Sequence, residues 1–155
     1  MSEFTDIVSA AGSAVSAIAA CVAAVGVWYA RHQLKTSREI AQLQFEDALG
    51  KEYRELAGEL SKNALMGEIL TEIEYEKSFD DLYRYFDLTN EQILLRQRGR
   101  ITSDVWENWC MGIKSNMALP AFQRAWVEIK ERSSAFEEVR RLDAEFFAID
   151  PVSWY

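Results

Sequence analysis

Three arginines at alternate positions, Arg96, Arg98 and Arg100, are the densest cationic feature of a chain whose formal net charge is −8. Guanidinium groups beside unsatisfied backbone N–H groups hold phosphate or carboxylate, and a helix start is expected just downstream, at Thr102 or Ser103. Two readings of the cluster stand. It is an anion-binding site, with a small anionic ligand of the cyclic-oligonucleotide kind as the partner. Or it is the cationic end of a helix, complementing the dipole and pairing with Asp80, Asp81 or Asp87.

The remaining chemistry-bearing residues do not assemble into a catalytic set. The single histidine, His32, removes most acid/base, nucleophilic and zinc schemes built on imidazole. Neither common glycine spacing of a phosphate loop occurs. Glu52, Glu55 and Glu59 share a helix face that suits a hard cation, but Lys51, Arg54 and Lys62 interleave with them, as on a solvated charged face. Asn116, close before Pro120, reads as a capping or turn residue. No catalytic residue, metal site or cofactor is expected, and the chain reads as a non-enzyme.

The elements that would position these residues begin with the run from Ile7 to Ala30, which carries no charged side chain. At about 1.5 Å rise per residue, a helix of that length crosses a hydrocarbon core of about 30 Å. Glu3 and Asp6 precede it, whereas Arg31, Lys35 and Arg38 follow it. That bias retains the following side in the cytoplasm and places the N-terminus outside an inner membrane. Trp28 and Tyr29 fall at headgroup depth. The acidic residues before the run are unlike the basic start of a cleaved signal. Gly12, Ser16, Ala20 and Ala24 form a small-residue row that lets helices approach closely, so a homo-oligomer is expected. A composition rich in Ala, Ser and Gly also yields other such rows, for example Ser9, Ser13 and Ala17.

The layout expected is a transmembrane anchor with a basic flank over 1–38, a helical cytoplasmic domain over 39–150 and a tail over 151–155. The acidic domain would repel phosphates in general, which excludes general nucleic-acid binding. Cys21 and Cys110 fall in different compartments and cannot pair. No proline interrupts the chain from the run to Ser61, so the span continues as a stalk. Leu49, Tyr53, Leu56 and Leu60, with Glu46 and Gln42 behind them, mark a seam that packs on its own domain or pairs in a coiled coil.

A helix is expected over 64–75, with Leu65, Ile69, Leu70 and Ile73 on one side. Ser78 is expected to cap the next, which runs to Gly99. Trp106, Trp109, Cys110, Ile113 and Met117 line a further helix that ends before Pro120. Phe122, Trp126 and Ile129 line the one after it. Ser134 with Glu137 reads as a capping box for a last helix through Phe146, closed by Asp150-Pro151, with exposed aromatics in the tail. Nothing alternates with strand period, so the fold class is all-α: an N-terminal transmembrane helix, a stalk and a small helical bundle.

Arg98 to Ile101, Trp106-x-x-Trp109, Gly112-Ile113-Lys114-x-Asn116 and Pro120-Ala121-Phe122 with Ala125-Trp126 resemble a family of small bacterial single-span proteins carrying an uncharacterised domain. The resemblance implies the fold class and the anchor and assigns no activity. Two functions follow as expectations. The first is a membrane-anchored interaction or scaffold module that meets the lipid bilayer, a second copy or a partner protein, with Trp106, Trp109 and Trp126 as its interaction or core face. The second is a signal-gated membrane effector, as in bacterial antiphage defence, sensing an anion through Arg96, Arg98 and Arg100.

Overall fold

Helix formers run unbroken by proline to Ser61, and the first element, α1 (Ser2–Glu59), is correspondingly one helix. The structure is a computed structural model that describes the backbone of residues 2–154 and the side chains of residues 23–154. The chain divides into two compact units, one ending at Leu43 and the other starting at Gln44. The protein is all-α, with no strand among the described residues.

In the first unit, Val25, Val27, Trp28 and Tyr29 are exposed, and the Trp28 ring stacks on His32 with centroids 5.8 Å apart. Among the described residues, no helix is long and apolar enough to cross a membrane. Most of the candidate span, including Gly12, Ser16, Ala20 and Cys21, lies outside the described side chains, and Ala24 is exposed.

The second unit contains the rest of α1 and five further helices: α2 (Lys62–Leu65), α3 (Glu72–Gln97), α4 (Ser103–Met117), α5 (Pro120–Arg132) and α6 (Glu137–Ala144). A 3-10 turn, Pro151–Ser153, follows. Leu49, Leu56 and Leu60 of α1 are buried in the domain's own core, so within this unit the seam packs on the domain. Alpha-helix α3 is the common partner, touching α5, α6 and the 3-10 turn. Its Phe86 ring stacks on Trp126 of α5 at 5.0 Å, and Tyr85 meets Phe122 edge-on at 4.9 Å.

The expected helix over 64–75 does not form. Gly67, at φ +79°, ends α2 after a single turn, a left-handed position that glycine occupies without steric penalty. The chain then runs without helix to Thr71, burying Leu70 and leaving Ile69 88% exposed, and Ile73 in the first turn of α3 is exposed as well. Ser78 caps nothing and is buried inside α3. The cap is Thr71: its backbone N–H donates to Glu74 Oε2 at 2.9 Å and its hydroxyl accepts from Glu74 N at 3.4 Å. The other end is as expected. Gly99 at φ +67° lets its own N–H reach Arg96 O and the Arg100 N–H reach Leu95 O, both at 2.9 Å, which satisfies carbonyls the helix leaves free.

The last helix differs from its sequence pattern. The Ser134–Glu137 capping box is absent because Phe136 occupies the N-cap position in a left-handed conformation, φ 63°. Strain of about 1–2 kcal/mol is ordinary for such a residue, and it is offset by burial of the Phe136 ring, 5.0 Å from Tyr83. The orphan amides are answered by α3: Asn90 Oδ1 accepts from Glu138 N at 3.1 Å and Val139 N at 3.3 Å. The helix stops at Ala144, short of Phe146, because Phe146 and Phe147 both have positive φ. Nor is the tail wholly free: Trp154 packs on the core and its Nε1 donates to Glu145 at 2.7 Å.

Asn90→Ala should therefore destabilise the protein by about 1–2 kcal/mol, the usual effect of losing a cap. Ser134→Ala should stay within about 0.5 kcal/mol of wild type. Equilibrium urea unfolding followed by circular dichroism checks both, and the opposite ranking would mean the local box, not Asn90, starts α6.

Candidate functional site

On α3 the buried face carries a polar row. Ser78, Tyr85, Thr89, Gln92 and Arg96 are all buried and recur at spacings of three, four and seven residues, which places them on one stripe of a helix. Buried polar groups must be answered by hydrogen bonds or leave an energetic debt of about 1–3 kcal/mol each. The partners of this row define the site.

Arg96 is answered most fully. Its Nε and Nη2 donate to Asp150 Oδ1 and Oδ2 at 2.8 and 2.5 Å, Nη1 donates to Ile101 O at 2.7 Å, and Nη2 also reaches Ser103 Oγ at 3.1 Å. One guanidinium thus ties the end of α3 to the start of α4 and to the C-terminal segment. Asp150 in turn caps the 3-10 turn by accepting from Val152 N at 3.1 Å. The arginine cluster expected from sequence is not brought together: Arg98 and Arg100 are exposed, whereas Arg96 is buried and committed to Asp150, not to Asp80, Asp81 or Asp87. An external anion would find two exposed arginines here instead of three converging ones.

The tryptophans are also distributed. Trp106 and Trp126 are buried core residues, and Trp126 Nε1 donates to Asp143 at 2.8 Å. Of the three tryptophans expected to share a face, Trp109 is the half-open one. Trp106 and Trp126 therefore belong to the core and offer no shared interaction face. Cys110 is half-buried and burial pushes its thiol up, which makes it a poor nucleophile. Among the described residues no group of acids, cysteines or His32 is arranged to hold a metal; Glu59 pairs with Arg84 and Glu55 with Lys51.

The middle of the polar row faces a cavity of about 100 Å³, lined by Tyr53 of α1, Tyr85 and Gln92 of α3, and Asn108, Trp109, Gly112 and Ile113 of α4. Asn116 is not a cap. Its Nδ2 donates to the Tyr85 hydroxyl at 3.2 Å and the Tyr53 hydroxyl at 3.4 Å, so one carboxamide clamps two phenols from two helices. Burial pushes the Tyr85 hydroxyl up, which keeps it neutral. Sequence reasoning passed over Tyr53, Tyr85, Gln92 and Gly112 as site residues. The signal available was the polar stripe inside an apolar helix face, together with a glycine in the middle of α4.

No family model, no curated protein and no solved structure matches the chain.

The Arg96–Asp150 pair carries a pH signature. The Arg96 guanidinium holds the Asp150 carboxyl below its ordinary value of 3.8, so the stabilisation is present above that value and disappears as pH falls through the folded-state pKa. The stability difference between wild type and Asp150→Asn should hold steady above about pH 5 and shrink in acid below it. Arg96→Met should cost about 2–3 kcal/mol, less than a fully buried pair, because Asp150 is 38% exposed and water takes over part of its solvation. Arg96→Lys should recover only part, since an ammonium cannot reproduce the fork. Urea melts across pH check both, and an acid-insensitive difference would contradict the assignment.

Proposed function

We propose that the chain is a membrane-anchored, non-enzymatic helical interaction module. Its N-terminal run inserts as a single span, the helical domain from Gln44 onward lies on the cytoplasmic side, and the span's small-residue rows bring copies together. The observation that carries this reading is the uncharged run Ile7 to Ala30 followed by Arg31, Lys35 and Arg38. Uniform apolarity over that length suits lipid better than one side of a soluble core, and the trailing bases set the orientation. Val25, Val27, Trp28 and Tyr29, exposed at the end of the run, supply the apolar and amphipathic groups that a bilayer boundary accommodates. The row Gly12, Ser16, Ala20 and Ala24 supports association of spans.

The full-length protein carrying a C-terminal reporter should remain in membranes washed with carbonate and report from the cytoplasmic side. Replacing Arg31, Lys35 and Arg38 together by Gln should mix the two orientations. Gly12→Leu with Ser16→Leu should lower the oligomer fraction in gentle detergent without releasing the protein from membranes. Recovery of the full-length protein in the soluble fraction, or a C-terminus reporting from outside, would overturn the proposal.

A further inference from the structure

The cavity between α1, α3 and α4 has the chemistry of a small-molecule site, and four observations describe its occupant. Its volume of about 100 Å³ is on the scale of a single six-membered ring, since an apolar cavity of about 150 Å³ takes up benzene. Its walls include the rings of Tyr53, Tyr85 and Trp109, and no charged side chain lines it, so a charged occupant would lose hydration without gaining a partner.

Gln92 supplies the polar complement. It is 4% exposed and borders the cavity, and among the described residues its amide takes no hydrogen bond from or to another side chain or the backbone. Among the described residues every side-chain nitrogen or oxygen sealed from solvent has a partner, so the Gln92 amide atoms are not sealed, and the cavity that Gln92 lines is the open space beside them. A carboxamide presents a donor and an acceptor side by side, which pairs with the matching edge of a lactam or an aminopyridine. Asn116, by donating to both Tyr53 and Tyr85 hydroxyls, leaves the two phenolic hydrogens to be donated elsewhere.

Gly112 supplies the last observation. A glycine inside a helix costs about 1 kcal/mol relative to alanine, and here neither packing nor backbone conformation demands it: a Cβ would meet nothing within 4 Å, and its φ is not among the positive ones. Gly112 and Asn108 are exposed members of the lining, so this side of the cavity opens to solvent at a residue without a side chain.

The geometry points to a binding site for one neutral, planar, six-membered heterocycle with adjacent hydrogen-bond donor and acceptor, its edge on the Gln92 carboxamide and its face against the aromatic wall. The site does not depend on the membrane anchor, so its test and that of the anchor fail separately.

The probe is 2-pyridone, a neutral lactam ring, titrated into the purified full-length protein by saturation-transfer NMR, with toluene as the apolar control and benzoate as the charged one. Saturable 2-pyridone binding at millimolar or lower concentration is expected, tighter than toluene, with no binding of benzoate. Gly112→Leu should weaken 2-pyridone at least tenfold while leaving the melting temperature equal or higher, because leucine is the better helix former. Gln92→Leu should abolish the preference for 2-pyridone and retain toluene, which separates loss of the site from loss of the fold. Absence of saturable 2-pyridone binding, equal binding of benzoate, or binding unchanged in both variants would overturn the assignment.

Discussion

A row of polar side chains buried along α3 is the constraint that the helical domain is built around. Burying apolar surface alone is non-directional and would tolerate several arrangements of neighbouring helices. A buried guanidinium or phenol tolerates few, because its partners must stand at hydrogen-bond distance or the group is left unsatisfied. Arg96 requires Asp150, the Ile101 carbonyl and Ser103 together, and Tyr85 requires Asn116. The first fixes the C-terminal segment and the entry to α4; the second fixes the register of α4 along α3.

The same economy recurs at the helix ends, where orphan amides are answered from other helices. Asn90 of α3 caps α6, and the buried Glu46 of α1 accepts from Thr102 N at 2.7 Å where the chain enters α4. A cap supplied across the fold links formation of one helix to docking against another. Arg124 adds a third link, pairing with Glu72 at 2.6 Å while lying 3.7 Å over the Tyr75 ring, and Tyr75 donates to Glu128 at 2.8 Å. These ties join the start of α3 to α5.

What was legible in the sequence were the features whose cause is local. Pro120 opening α5, Gly99 ending α3 and the apolar face of Trp106, Ile113 and Met117 all follow from steric or periodic rules that need no partner. The errors fell where two local signals competed or where the partner was distant. Thr71 and Glu74 are themselves a capping-box pair, but the apolar residues from Leu65 to Ile73 imitate a helix face and hide it. Ser134 and Glu137 are the same signal in sequence, yet burial of Phe136 moves the N-cap from Ser134 to Phe136. The Arg96 pairing could not be read at all, because Asp150 lies far along the chain and nearer acids are equally plausible partners by charge. The place of Asn116 before a proline suggests a cap, whereas its role comes from two tyrosines on other helices.

If the buried polar row organises the domain, α3 should be the last element to open. Native-state hydrogen exchange on the full-length protein measures this directly, since each amide reports the free energy of the smallest opening that exposes it. The amides from Leu82 to Leu95 should exchange only through global unfolding, after those of α6 and of the 3-10 turn Pro151–Ser153 have exchanged through smaller openings. Protection in α6 equal to or above that in α3, or α3 amides exchanging in a sub-global step while α4 and α5 stay protected, would contradict the account.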